Sequence, residues 1–348
     1  MIYESKHGGD IYNKVIVTDF SVNVNPLGMP ESVLNVIKKE AENCSRYPDI
    51  FSRELIKELA EYRHTDEEYI TCGNGASELF MAIVRGIKPD KVLLIEPSFL
   101  GYEYAVNAMD ASVLYYNIAE KNFKIDRDIL GVLTKDIDMI FLANPNNPTG
   151  IAVDYDIMLE IIKHCKEEDI IVILDECFID LSDNVKSMKE HVEEFDNLII
   201  VNAFTKTYGL AGIRLGYMIC ADNSINIKVR KNLPEWNISY IAQKAGAACF
   251  KEEEYLRETK ELIKREKSYL VEKIRENGIE VYDSCTNFLL LKSNVNLYEE
   301  MLKQGILIRD CSNYRGLEKG YYRIAIKKHE ENEKFIEAVE KVRINIEL

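Results

Sequence analysis

Four short clusters carry residues whose types and spacing can do chemistry. Thr205-Lys206-Thr207-Tyr208-Gly209-Leu210-Ala211-Gly212-Ile213-Arg214 sets a lysine among hydroxyls and small residues, with an arginine eight positions on. A neutral lysine amine attacks carbonyls to form an imine, although alone this lysine reads as an ordinary surface residue. Asp175-Glu176 follows the apolar run Ile170–Leu174. Carboxylates at the end of a buried strand are costly without a cation or a ligand, so the pair marks a site or, equally, a helix N-cap. Asn144-Pro145-Asn146-Asn147-Pro148-Thr149-Gly150 is a loop stiffened by two prolines, able to hold an Asn amide in one place or simply to turn. Gly73-Asn74-Gly75-Ala76-Ser77-Glu78 is a glycine-rich turn opening a helix, whose free N–H groups and positive dipole end suit a phosphate. Glu78 stands where a dinucleotide fingerprint needs Gly, so a plain tight turn stays open.

The elements that must position these clusters are legible around them. Lys91–Ile95, Met139–Ala143, Ile170–Leu174 and Leu198–Val201 are short, continuously apolar runs separated by amphipathic stretches of helix length, the pattern of strands covered on both faces in a parallel sheet. The fold class is therefore α/β, a large doubly wound, mostly parallel sheet, and ligands of such sheets lie beyond the carboxyl ends of the strands. Three of the clusters directly follow such runs. Beyond about residue 250 the chain changes character: a long charged helix over Glu252–Asn277 is followed by strand signals at Glu280–Tyr282, Asn287–Lys292 and Tyr321–Ile326 and a helix at Glu330–Val342. The expected division is an arm with part of a small α+β domain over 1–45, a large domain over 46–250 and the rest of the small domain over 251–348. Taken together, an imine-forming Lys, an Asp able to pair a pyridinium nitrogen, an Asn and an anion-binding turn with Arg support meet the needs of pyridoxal phosphate.

The 348 residues suffice for about two domains. Lys and Arg number 44 against 59 Asp and Glu, a net charge of −15 that repels nucleic acid and anionic lipid. Neither is an expected partner. A phosphorylated small molecule must then be drawn in by a local arginine cluster. The eight cysteines show no C-x-x-C and no His at zinc-ligand spacing, so no metal is expected. With no basic-then-apolar leader and no apolar run near 18 residues, a reducing cytoplasm is the expected compartment.

The four clusters, in their order along the chain and over essentially the whole of it, resemble the fold type I pyridoxal phosphate enzymes, in the branch that holds histidinol-phosphate aminotransferase. Further segments, His7-Gly8-Gly9-Asp10, Phe20–Gly28, Arg46-Tyr47-Pro48-Asp49, Ile306–Tyr314 and Tyr321–Ile326, resemble the threonine-phosphate decarboxylase family of cobalamin synthesis, His-Gly-Gly being the most discriminating. The resemblance implies that Lys206 carries the cofactor covalently and Asp175 faces its pyridine nitrogen. Asn147 would bond the ring hydroxyl, and Phe99 would stack on the ring. Ala76, Ser77, Thr205 and Arg214 would hold the phosphate, with Tyr47 reaching it from the neighbouring subunit of a homodimer. Arg323 would bind the substrate α-carboxylate; His7, Asn23 and Arg309 would handle its other polar end. The implied reaction is decarboxylation of L-threonine phosphate, a phosphorylated amino acid, to aminopropanol phosphate; transamination of histidinol phosphate or a similar phosphorylated amine is the alternative, and a ligand-sensing domain of this fold a more distant one. Two positions depart from the aminotransferase pattern: Ala203 replaces a frequent Ser or Thr, and Phe178 replaces a Tyr that donates to the ring hydroxyl.

Overall fold

A computed structural model describes residues 7–12 and 15–347. Seven strands form the main sheet, in the spatial order Ile70–Gly73, Gly216–Ile219, Leu198–Ala203, Ile171–Asp175, Met139–Ala143, Lys91–Glu96 and Ser112–Asn117. Gly216–Ile219 pairs antiparallel with both its neighbours, while the pairings from Leu198–Ala203 out to Ser112–Asn117 are parallel. Side chains alternate between two cores, as the strand period of two requires. Val92, Leu94, Phe141, Ile173 and Val201 pack on one face against Leu79, Phe80 and Ile83 of the helix Ala76–Ile87. Leu93, Ile140, Leu142, Val172 and Leu174 pack on the other against Met158, Ile161 and Ile162 of the helix Tyr155–Glu167.

A second, four-stranded antiparallel sheet runs in the order Arg309–Asp310, Tyr321–Ala325, Phe288–Lys292 and Glu280–Val281. It has its own core, in which Ile263, Leu270 and Ile274 of the helix Glu253–Glu276 meet Leu289, Leu291, Phe335 and Val339. The amino-terminal segment joins this body: Thr18–Asp19 pairs parallel with Ile306–Leu307, and Phe20 packs on Phe335 with ring centroids 5.2 Å apart.

The four strands expected in the main sheet form within one or two residues of their predicted bounds, as does the charged helix. Three strands of the main sheet lay outside the sequence reading. Ile70–Gly73 and Gly216–Ile219 are four residues long and contain glycine, and Ser112–Asn117 is an edge strand in which no residue is buried. The antiparallel strand has a consequence for function. Because it runs against its neighbours, its first residue, Gly216, lies opposite Gly73 and Ala203, so the residues just before it arrive at the carboxyl edge of the sheet. Among the described residues no helix is long and apolar enough to cross a membrane, and no group of His, Cys, Asp and Glu is placed to hold a metal ion.

Candidate active site

A cavity of about 320 Å³ opens at the carboxyl edge of the main sheet, between it and the smaller sheet. Of the residues singled out in the sequence, His7, Asn23, Ala76, Ser77, Phe99, Asn147, Asp175, Thr205, Lys206, Arg214, Arg309 and Arg323 all line it. Tyr47 does not. It is 80 % exposed and its ring packs against Trp236, centroids 5.0 Å apart.

The floor is built by strand ends. Leu198–Ala203 passes straight into the short helix Phe204–Thr207, which turns Lys206 into the cavity. Among the described residues Lys206 Nζ has no hydrogen-bond or ion-pair partner, and the ring of Phe178 lies 5.8 Å away. Burial, together with the Arg323 guanidinium, pushes the Lys206 ammonium down to about 8. Asp175 ends the neighbouring strand. The cation its burial called for is not in ion-pair contact; instead the Tyr102 hydroxyl donates to Oδ2 at 2.6 Å and the Cys177 N–H to Oδ1 at 2.9 Å. Burial raises the Asp175 carboxyl in spite of these donors. Glu176 bonds elsewhere: Ser187 Oγ and the Met188 N–H donate to it, and burial pushes it up to about 7.

One wall is an anion cradle. Gly75, at φ +81°, caps the twelve-residue helix Ala76–Ile87 without a side-chain cap, leaving first-turn N–H groups available. A Cβ at Gly75 would stand 2.7 Å from Arg214 Nη2, so the glycine is what lets the guanidinium close on the helix end. Arg214 itself has φ +60° and is delivered by the antiparallel strand that follows it. Glu78, read above as a break in a dinucleotide fingerprint, accepts from the Asn74 N–H at 2.6 Å and from Asn237 Nδ2, tying down the turn. Opposite, side-chain hydrogen bonds tie the Asn144–Gly150 loop to its surroundings. Asn144 Oδ1 accepts from the Val153 N–H, and Asn146 Nδ2 donates to the Pro97 carbonyl.

The roof comes from the smaller sheet. Arg309 and Arg323, 7 % and 6 % exposed, are direct cross-strand partners. Arg323 donates to Asn147 Oδ1 and to the Ser21 carbonyl, its Nε has no partner, and no carboxylate among the described residues pairs with it. Arg309 donates to Asn313 Oδ1 at 2.7 Å and lies over the Tyr314 ring. Asn23 is buried with Oδ1 unpartnered. His7 is held at the rim by its neighbours: Gly9 N–H donates to Ser21 Oγ at 2.8 Å, and Gly8 approaches the Ser21 carbonyl so closely that a Cβ would come within 2.3 Å. Phe178 packs edge-on against Phe288, as its apolar surroundings require, and Ala203 is buried beside it.

Four site residues were missed in the sequence. Tyr102 follows Phe99 by three positions at the start of a helix and Tyr314 follows Arg309 by five; in both cases the spacing was the available signal. Cys177 and Ser21 carry no signal of their own.

The cavity therefore gathers Lys206, Arg214, Arg309 and Arg323 around Asp175 in a chain whose net charge is −15. A lysine of depressed basicity, a helix-end anion cradle and two buried arginines, set at the strand ends of a doubly wound sheet, define a fold type I pyridoxal phosphate enzyme of the aminotransferase architecture. The chain belongs to the aminotransferase class I and II family, whose family model matches residues 15–339. It is similar to a putative threonine-phosphate decarboxylase of Caldanaerobacter subterraneus subsp. tengcongensis, at 36 % identity over 96 % of this chain and 93 % of that one. It is also similar to the threonine-phosphate decarboxylase of Salmonella typhimurium, at 30 % identity over 99 % and 98 %. Among solved structures, a histidinol-phosphate aminotransferase from Clostridium acetobutylicum superposes with a TM-score of 0.89 at 33 % identity, covering 94 % of this chain and 100 % of that one.

Proposed function

We propose that the protein is a pyridoxal phosphate-dependent decarboxylase that converts L-threonine phosphate to (R)-1-aminopropan-2-ol phosphate and carbon dioxide. The observation that carries this reading is the pair Arg309 and Arg323, buried and directly opposed on adjacent strands. Like charges so placed repel, and a ligand with two anionic ends, a carboxylate and a phosphate, relieves the repulsion at both. When bound, the cofactor supplies a carbonyl for Lys206 and an electron sink for the pair released at the substrate Cα. The free N–H groups at Ala76 and Ser77, with Thr205 and Arg214, fit its phosphate; the gap that Gly75 leaves beside Arg214 supports that fit. Phe99 would cover the ring, Asn147 would reach its hydroxyl and Asp175 would meet its nitrogen.

On this reading Arg323 grips the carboxylate, while His7, Asn23 and Arg309 hold the phosphate. The bond at Cα that stands perpendicular to the ring breaks, so a two-ended grip on the substrate selects it. Lys206, still protonated in part near pH 8, can return a proton to Cα from its ammonium form. The likeness to histidinol-phosphate aminotransferases keeps one alternative, transamination of a phosphorylated amine. Incubation of the holoenzyme with threonine phosphate, measuring carbon dioxide against keto acid, decides between them. Carbon dioxide release supports the decarboxylase; keto acid without it supports the aminotransferase.

The same reading makes the active enzyme a homodimer in which Tyr47 reaches the cofactor phosphate of the opposite subunit, supported by the exposure of Tyr47, Phe51 and Trp236 on one side of the chain. Symmetry then gives two composite sites. Mixing inactive Lys206→Ala with an inactivated Tyr47→Phe protein is expected to restore activity through one intact site per heterodimer. No recovery after verified subunit exchange would count against the shared site. The division into an arm to residue 45, a large domain to 250 and a small domain beyond is part of this reading, supported by the separate hydrophobic cores. Eight free cysteines support a cytoplasmic enzyme.

A further inference from the structure

We infer that Tyr102 is a positioning residue, whose hydroxyl holds Asp175 in the orientation and ionised state that the pyridine nitrogen of the cofactor requires. The inference rests on the cofactor reading above and adds a residue to it. Tyr102 is buried, 1 % exposed, in the first turn of the helix Leu100–Asn107. A phenylalanine would fill the same space, so the hydroxyl needs its own account. It donates to Asp175 Oδ2 at 2.6 Å, and a buried O–H donor to a carboxylate at that distance is a strong, charge-assisted contact.

Oδ2 accepts from the Tyr102 hydroxyl and Oδ1 from the Cys177 N–H, and the Cys177 thiol also bonds the carboxylate. The arrangement fixes the rotation of the carboxylate and leaves its remaining lone pairs to the cavity. Burial and the Asp175 charge both drive the Tyr102 hydroxyl well above its usual range, so it stays a donor at any working pH. Burial drives Asp175 up as well, which is the reason a donor is needed to keep it charged.

The ring cannot move away. It stacks on Phe141 at 5.0 Å and meets Phe80 edge-on at 5.1 Å. Its third aromatic neighbour is Phe99, edge-on at 5.5 Å, the residue assigned to cover the cofactor ring. Phe99 reaches that place only because residue 101 is glycine, where a Cβ would come within 2.3 Å of Phe99 Cε1. One tyrosine therefore braces both the residue on the ring's face and the residue at its nitrogen.

The test uses the full-length protein, stripped of cofactor and labelled with carbon-13 in the aspartate carboxyls, with the Asp175 signal identified by its loss in Asp175→Asn. Tyr102→Phe is expected to raise the Asp175 titration midpoint by about one to two pH units. It is also expected to weaken the binding of pyridoxal phosphate about tenfold. If the hydroxyl acts through Asp175, the same substitution made in Asp175→Asn weakens binding by less than about twofold. A purely structural tyrosine predicts the same loss in both backgrounds. Should Tyr102→Phe not fold, 3-fluorotyrosine placed at position 102, near-isosteric and a stronger donor, is expected to lower the midpoint. An Asp175 midpoint unmoved by the substitution, or equal binding losses in the two backgrounds, overturns the proposal. Failure of the cofactor reading is read separately, as a wild-type protein that binds no pyridoxal phosphate, while the carboxyl titration still decides the link between Tyr102 and Asp175.

Discussion

Lys206→Ala is expected to lose turnover altogether, together with the visible absorption that a covalently held cofactor gives. Proton transfer by a positioned side chain is worth about 10²–10⁴-fold alone, and the covalent link is lost with it. No other residue of the cavity can substitute. The other cations lining it are the guanidinium groups of Arg214, Arg309 and Arg323, which stay protonated and cannot form an imine. For the same reason Lys206→Arg gives no rescue. The sign of the pH dependence follows from the surroundings of the amine. Burial and Arg323 depress Lys206 to about 8, so the reactive neutral form grows as pH rises through that value. The rate of covalent uptake of pyridoxal phosphate by the cofactor-free protein, followed by absorbance, is expected to climb between about one unit below and one unit above it. A Lys206→Ala protein that is yellow and active would sink the assignment.

How much of this was legible in the sequence depended on whether the signal was local. The four buried strands announced themselves by continuous apolar runs, and the residues at their carboxyl ends, Asn147, Asp175 and Lys206, could be singled out because the end of such a strand is where a parallel sheet meets its ligand. The antiparallel strand Gly216–Ile219 could not be seen, since four residues with one glycine carry no period. Arg214 was identified by its spacing from Lys206, yet its route to the cradle depends on that strand running backwards. The opposition of Arg309 and Arg323 is a matter of register, set by an antiparallel ladder across the turn between them, and fourteen residues of separation do not reveal it. Tyr102 was hidden for a third reason. Its partner lies 73 positions away in the chain, so nothing near it distinguishes a hydroxyl aimed at a carboxylate from an aromatic residue in a core.

That register leads to the second large effect. If the paired arginines hold the two ends of the substrate, removing one end should change which bond breaks as well as how tightly the substrate binds. Arg309→Ala takes away a charge-assisted contact of about 1.5–3 kcal/mol, so affinity for threonine phosphate should fall roughly ten- to hundredfold. The phosphate end then keeps only His7 and Asn23, while the carboxylate end stays on Arg323, itself fixed by Asn147 and the Ser21 carbonyl. The weakened phosphate grip leaves the substrate freer to rotate about its Cα–N bond, and the carboxylate no longer stays perpendicular to the ring. Some turnovers should then break the Cα–H bond, leaving the cofactor in its amine form and releasing a keto acid. The measurement is the ratio of carbon dioxide to pyridoxamine phosphate, for wild type and Arg309→Ala, with threonine phosphate as substrate. A lower ratio in the variant means that the phosphate grip sets the choice of bond. An unchanged ratio with weaker binding means that Arg309 contributes affinity only, and that Arg323 with Asn147 suffices to orient the carboxylate. A wild-type enzyme that releases no carbon dioxide from threonine or serine phosphate, yet transaminates histidinol phosphate with 2-oxoglutarate, would replace the decarboxylase with the aminotransferase. The two arginines would then be gripping a substrate with one anionic end, and the repulsion between them would need a different partner.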